Sequence, residues 1–248
     1  MLGIIGGTGL TELTNLNIQR RKIARTPYGE PSQPLVFGEL NGSEVVFLAR
    51  HGGGHTIPPH AVNYRANIWA LHSVGVKNIL AIATVGSIDR ALNPGDIVLP
   101  KQIIDYTYGR KNSYHDGIEL AVKHIDFTDP YAQNMREQCL QAALRIAQPL
   151  VDDGVYACVQ GPRLETAAEI NRLERDGATI VGMTGMPEAA LARELGINYA
   201  ALCPVANHAA GRGNSAHGIH FEAIIAVLNQ TMAKVRLLIA EVAQLNKE

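Results

Sequence analysis

The sequence predicts an α/β fold: a single domain over residues 1–248, with a mixed, twisted β-sheet flanked by helices. Three observations carry that prediction. The second half alternates short apolar runs with amphipathic segments of helical period, the pattern of a covered, largely parallel sheet. The first half holds "PLVFGELNGSEVVFLAR", two strand-like runs joined by Asn41-Gly42, a strong hairpin signal that makes the sheet mixed. Hydrophobic residues make up 46% of 248 positions and charged residues 18%, which is enough apolar material for a real core.

Taken in order, residues 2–5 read as a short buried strand, and the hairpin follows. The segment 63–75 reads as a helix with Val62, Ala66, Trp69, Ala70 and Val74 on one face. "NILAIAT" (78–84) and "DIVLP" (96–100) read as strands, 131–147 as a helix and 153–160 as a strand. Residues 165–176 read as a helix, "ATIVGM" (178–183) as a strand, 187–195 as a helix, "YAALCPV" (199–205) as a strand, and 221–245 as a long final helix. No linker, repeat or low-complexity tract interrupts the chain, so one domain is expected.

Bulk properties exclude several classes. Lys plus Arg number 22 against 23 Asp plus Glu, a net charge of −1, so no basic field points to nucleic acid. Cys139, Cys158 and Cys203 are far apart, odd in number and form no C-x-x-C, which suits a reducing compartment. No basic stretch precedes a long apolar run at the start, and no apolar run is expected to approach the ~18 residues of a membrane span. The expectation is a cytoplasmic protein with no membrane partner.

The chemistry concentrates at strand ends, where ligands sit in such folds. Five stretches fall there: Gly6–Gly9, Arg50–His55, Thr84–Ser87, Met183–Thr184 and Ala206–Ala209. In "MLGIIGGTGL" an apolar run enters a glycine cluster, the form of an anion-binding loop. A dinucleotide fingerprint fails, because Glu12 stands where its third glycine belongs. A P-loop fails for want of a lysine beside Thr8-Gly9. An empty strand-to-loop turn is the competing reading. In "ARHGGGHTIPPH" Arg50 suits forked phosphate binding. The histidines His51, His55 and His60 straddle three glycines and lack the helical H-E-x-x-H setting, so no metal site is expected. Thr84 and the Gly86-Ser87 backbone could add donors, or form a plain connection. Glu165 in "VQGPRLETAAE" sits at an expected helix start, where an acidic residue also serves the helix alone. Met183 suits the core equally, and Asn207 suits a turn.

Taken together, "LARHGGGHTIPP", "VNYRANIWAL", "GPRLETAAE" and "GMTGMPEAALARE", in that order, resemble the purine nucleoside phosphorylase and methylthioadenosine phosphorylase family of the trimeric type. The resemblance runs from "GIIGGTG" to the last helix and is strongest toward the methylthio branch, the methylthioinosine phosphorylases in particular. It implies reversible phosphorolysis of an N-glycosidic bond, with inorganic phosphate as co-substrate and no cofactor. It assigns phosphate contacts to Thr8, Arg50, His51, Thr84 and Thr184, with Ala83-Thr84 standing where the family has a Thr-Ala pair. Met183 underlies the ribose. Glu165 and Asn207 meet the base, with Leu164 beside them, and Asn207 is the candidate donor at purine N7. Phe221, Ile224 and Ile225 match an apolar pocket for the 5′ group, although His220 is one residue of register away. The family is a homotrimer, and the resemblance lends His124 to a neighbour's pocket near His55. The Glu165–Asn207 pair, with Ala209, matches the 6-oxopurine enzymes. Methylthioadenosine phosphorylases carry serine, aspartate and aspartate at those places. A 6-oxopurine preference follows, methylthioinosine above methylthioadenosine; because an amide can turn over, Glu165 is expected to carry most of the discrimination. A methylthioadenosine phosphorylase or a general purine nucleoside phosphorylase is the alternative. Outside phosphorolysis stand a water-using nucleosidase, a non-catalytic nucleoside binder and a nicotinamide dehydrogenase.

Overall fold

The opening run becomes β1 (Leu2–Gly6), buried along its whole length because strands lie on both sides of it and layers cover both faces. In the computed structural model, which describes residues 1–118 and 120–247, it is followed by β2 (Asn17–Lys22), β3 (Leu35–Leu40), β4 (Ser43–Ala49), α1 (Tyr64–Ser73), β5 (Asn78–Ile82), β6 (Val85–Ser87) and β7 (Ile97–Asp105). Then come α2 (Gln133–Arg145), β8 (Val151–Cys158), α3 (Ala167–Arg175), β9 (Ile180–Gly182), α4 (Gly185–Glu194), β10 (Asn198–His208) and α5 (Phe221–Leu245). The strand order is β2-β3-β4-β1-β5-β10-β6-β9-β8-β7. The sheet is mixed, as expected: β4, β1, β5 and β10 run parallel, and β2-β3-β4 is an antiparallel meander. The hairpin turn is Asn41-Gly42, both with positive φ (47° and 77°), the conformation for which that pair is suited.

The sheet does more than twist. β10 pairs with β5 through Asn198–Leu202, with β7 through Cys203 and Pro204, and with β6 from Val205 onward. The pairings β10–β6–β9–β8–β7–β10 therefore close on themselves, and β10 belongs both to an open parallel sheet and to a small closed ring. Between Val205 and Asn207 its register shifts by a bulge, a device that turns a strand and re-aims its side chains.

Several expected boundaries move. The β2 strand is exposed throughout, and "NIQRRK" offers no apolar alternation from which a strand could be read. Residues 85–87, expected as a turn after the strand 78–84, form strand β6. The helix expected from residue 165 begins at Ala167: Thr166 caps it, accepting from Glu169 N–H while the Glu169 carboxylate accepts from Thr166 N–H. Glu165 thus precedes the helix and is free of it. The segment 199–205 extends to His208, so Ala206–His208 are strand, not turn. The α5 helix also corrects the reading that no apolar run is long enough to span a membrane. By length and composition it is long enough, the one such helix among the described residues. It is a core helix here: Met232, Val235, Leu238, Ile239 and Val242 are buried in the cluster that includes β1 and α2.

Candidate active site

The parallel strands β1, β4 and β5 end at one edge of the sheet, and the residues that follow β9, which runs antiparallel to β6, meet them there. There a cavity of about 450 Å³ opens, lined by Gly7 and Thr8 after β1, by Arg50, His51 and His55 after β4, by Ala83–Gly86 after β5, by Met183 and Thr184 after β9, and by Ala206, Asn207 and Ala209 at the end of β10. Leu164 and Glu165 close one side; Phe221, Ile224 and Leu228 of α5 close another. All five strand-end stretches contribute, and of the residues the resemblance assigns to the site all but His124 and Ile225 line this one space. His124 does not: it is exposed and outside the cavity of its own chain. Ser87 also leaves the expected set, its hydroxyl buried against His208 Nδ1 at 3.0 Å. Phe221 and Ile224 line the cavity, whereas Ile225 and His220 do not.

Arg50 is fully buried. Its Nε and Nη2 donate to the two oxygens of Glu188 (2.8 and 2.7 Å), and Nη1 donates to the Ile82 carbonyl (2.8 Å). Burial works against its charge, but the Glu188 carboxylate more than offsets this and holds the proton above the ordinary arginine range. The neighbouring loop must be glycine: a Cβ on Gly7 would lie 2.5 Å from the Ile82 oxygen and 2.9 Å from Arg50 Nη1. Thr84 Oγ1 donates to the Thr8 carbonyl (3.0 Å), tying two cavity loops together. Thr184 is buried at the start of α4 and its hydroxyl makes no cap.

His51 has its pKa lowered to about 4 by burial and then by the adjacent Arg50 charge. Its Nδ1 lies 2.8 Å from the Ile57 carbonyl, which can only accept, so Nδ1 carries the proton and the neutral ring leaves Nε2 as an acceptor. The His55 ring packs on it at 4.7 Å. Burial pushes the Glu165 carboxyl above the ordinary range. Asn207 Nδ2 donates to the His208 carbonyl at 2.7 Å. Turning the amide over would put its oxygen against that carbonyl, so Asn207 is held in one orientation and does not have the freedom expected of it.

Two residues of the site were missed in the sequence. Glu188 is one; its signal was a charge set in an apolar stretch, "GMPEAALARE", where a buried carboxylate requires a partner. Arg110 is the other. Its guanidinium donates to the carbonyls of Met183, Met186, Val159 and Gln160 and lies over the Tyr64 ring, fixing the strand ends that carry Met183. Nothing local in "TYGRKNS" announces that role. Among the described residues no three His, Cys, Asp or Glu side chains are grouped to hold a metal.

Residues 1–243 match the family model described as the phosphorylase superfamily. A probable S-methyl-5′-thioinosine phosphorylase of Pseudomonas syringae pv. tomato is 51% identical over 239 residues, 96% of each chain. A 6-oxopurine nucleoside phosphorylase of Pyrococcus furiosus is 42% identical over 252 residues, covering 100% of this chain and 94% of that protein. Among solved structures, methylthioadenosine phosphorylase from Schistosoma mansoni in complex with adenine superposes with a TM-score of 0.93 at 32% identity, over 99% of this chain and 91% of that one. A strand-end cavity with a buried arginine, on a chain matched along nearly its whole length, makes this protein a member of the phosphorylase superfamily.

Proposed function

We propose that this protein is a pentosyltransferase that cleaves 5′-methylthio purine nucleosides with inorganic phosphate, preferring a 6-oxopurine base, S-methyl-5′-thioinosine above all. The observation that carries the reading is that one cavity is lined both by Arg50, His51, Thr8, Thr84 and Thr184, side chains suited to an anion, and by Glu165 and Asn207, side chains suited to a base. A phosphate oxygen attacks C1′ as the C1′–N9 bond breaks, and the bonding pair leaves with the purine. The products are free base and 5-methylthioribose 1-phosphate. Arg50 and the hydroxyls of Thr8 and Thr184 donate to phosphate oxygens, Thr84 braces the Thr8 loop with its own hydroxyl, and neutral His51 accepts from a P–OH through Nε2. Phosphate supplies negative charge beside the cationic sugar of the transition state, and the Asn207 amide donates to the base as negative charge builds there. The rest is positioning on the Met183 platform that Arg110 holds.

The base preference rests on donor and acceptor matching. Ionised Glu165 accepts only, so it suits the N1–H of a 6-oxopurine and opposes the N1 lone pair of adenine. Inorganic phosphate is a co-substrate, no cofactor is required, and purine salvage is the corresponding role. The active form is a homotrimer in which His124 of one subunit serves a neighbour's cavity; an active monomer in sedimentation at assay concentration would contradict it. Three cysteines, each a buried free thiol, support a reducing, cytoplasmic setting. The direct test follows ultraviolet absorbance of methylthioinosine with and without phosphate. Cleavage should require phosphate; equal rates in phosphate-free buffer would remove the phosphorylase reading in favour of a nucleosidase.

A further inference from the structure

A carboxylate is buried directly behind the cavity. Glu188 is fully shielded from solvent, as is Arg50, and the two are joined by both carboxylate oxygens at 2.8 and 2.7 Å. Tyr199, also buried, donates its hydroxyl to Oε2 at 2.8 Å. A buried ion pair is a weak way to stabilise a fold, since well-packed apolar residues of similar volume do as well or better. Its position suggests another purpose. Arg50 is part of the cavity wall, whereas Glu188 stands behind it on α4 and is not.

Counting N–H groups defines what the pair does. A guanidinium has five. Nε–H and one Nη2–H go to Glu188, and one Nη1–H goes to the Ile82 carbonyl. One N–H then remains on each terminal nitrogen, the arrangement that an oxyanion can bridge with two of its oxygens. The side-on fork held by the carboxylate fixes the plane of the guanidinium, and with it the direction of those two N–H groups. The carboxylate also cancels the arginine charge, so what the cavity receives from Arg50 is directed donors rather than a mobile cation.

We propose that Glu188 is a positioning residue for the anion: it acts through Arg50, holding the guanidinium so that one N–H on each terminal nitrogen is available to phosphate. The inference rests on the phosphorolytic reading above. Losing directed, charge-assisted hydrogen bonds of this kind costs about 10- to 100-fold in affinity.

The test measures KM for phosphate and for methylthioinosine separately in wild type, Glu188→Gln, Glu188→Asp, Arg50→Met and the double variant Arg50→Met/Glu188→Gln. Glu188→Gln should raise the phosphate KM by about 10- to 100-fold and leave the nucleoside KM within about twofold. Glu188→Asp, which keeps the charge on a shorter arm, should show the same split at smaller size; it decides the matter if Glu188→Gln does not fold. In the Arg50→Met background, Glu188→Gln should add less than about twofold, because a residue acting through Arg50 has nothing left to act on. Equal rises in both KM values, or effects that multiply in the double variant, would assign Glu188 a merely structural role and overturn the proposal. Phosphate-independent cleavage by the wild type would instead remove the reading on which it rests. A phosphate-dependent wild type with an unchanged phosphate KM in Glu188→Gln and Glu188→Asp would remove this inference alone.

Discussion

Replacing Arg50 by methionine tests the buried pair through stability rather than activity. The substitution deletes three hydrogen bonds, two to Glu188 and one to Ile82 O. It leaves Glu188 at 0% exposure with the Tyr199 hydroxyl as a remaining partner and no opposite charge beside it. Removing one member of a buried pair costs about 3–5 kcal/mol, a large part of the roughly 5–15 kcal/mol that holds a domain together. For a chain of this length each kcal/mol moves Tm by about 2–4 °C, so the melting temperature should fall by about 6–20 °C. The double variant Arg50→Met/Glu188→Gln carries no buried charge and should recover a substantial part of that loss. Calorimetric scans at one protein concentration in phosphate-free buffer make the comparison, since bound phosphate would add its own stabilisation. An Arg50→Met protein that melts within about 3 °C of wild type, or a double variant less stable than the single one, would refute the argument that the charge of Glu188 depends on Arg50.

Three further outcomes follow from the same geometry. Wild-type protein should cleave methylthioinosine in preference to methylthioadenosine, by up to about 10⁴-fold for a rigid donor–acceptor mismatch and less if a water bridges it; Glu165→Ser combined with Asn207→Asp should shift the ratio toward adenine, and equal wild-type efficiencies would show the base reading to be wrong. Methylthioinosine should exceed inosine by about 10- to 100-fold in kcat/KM, because a 5′-hydroxyl against Phe221 and Ile224 lacks a partner while a thiomethyl group is stabilised by burial; equal efficiencies would refute the pocket assignment. His51 should stay neutral from pH 8 down to about 5.5 in the folded protein, its pKa lying at about 4. The unfolded chain takes up that proton first, near 6.5, so the contribution of His51 to stability, about 3 kcal/mol in full, is present above pH 6.5 and is lost as pH falls toward 4. An imidazole NMR titration checks it, and a His51 midpoint near 6.5 would contradict it.

The legible part of the fold was the part with a period. The Asn41-Gly42 hairpin, the parallel strands and α5 all carry apolar spacing that one stretch of chain displays by itself. β2 was illegible because an exposed edge strand has no buried face to print a pattern. β6 was illegible for a different reason: three residues are too few for a period, and they become a strand only because β10 and β9 flank them. The closed ring belongs to the same class. It depends on the length of β10 and on the turn it takes at Cys203-Pro204 onto β7, a long-range event that no local window contains.

That same turn explains why the site was more legible than the structure that builds it. Most of the cavity-lining residues proposed to meet the anion and the base sit at strand ends, which can be read from where apolar runs stop, so Thr8, Arg50, Thr84, Met183 and Asn207 could be named from the chain alone. What orients them comes from afar. Glu188 lies 138 positions from the arginine it grips, and Arg110 reaches carbonyls 49 to 76 positions away. Asn207 reaches the cavity because β10, having changed partners, bulges one residue before it; its amide is then pinned by the next carbonyl. A side chain that reads a base must be both aimed and unable to turn over. Asparagine at the end of an ordinary strand would satisfy neither condition. The bulge supplies the aim and His208 O the restraint, so the donor proposed for purine N7 stays a donor; N7 accepts in 6-oxopurines and adenine alike, and the proposed discrimination between them rests on Glu165.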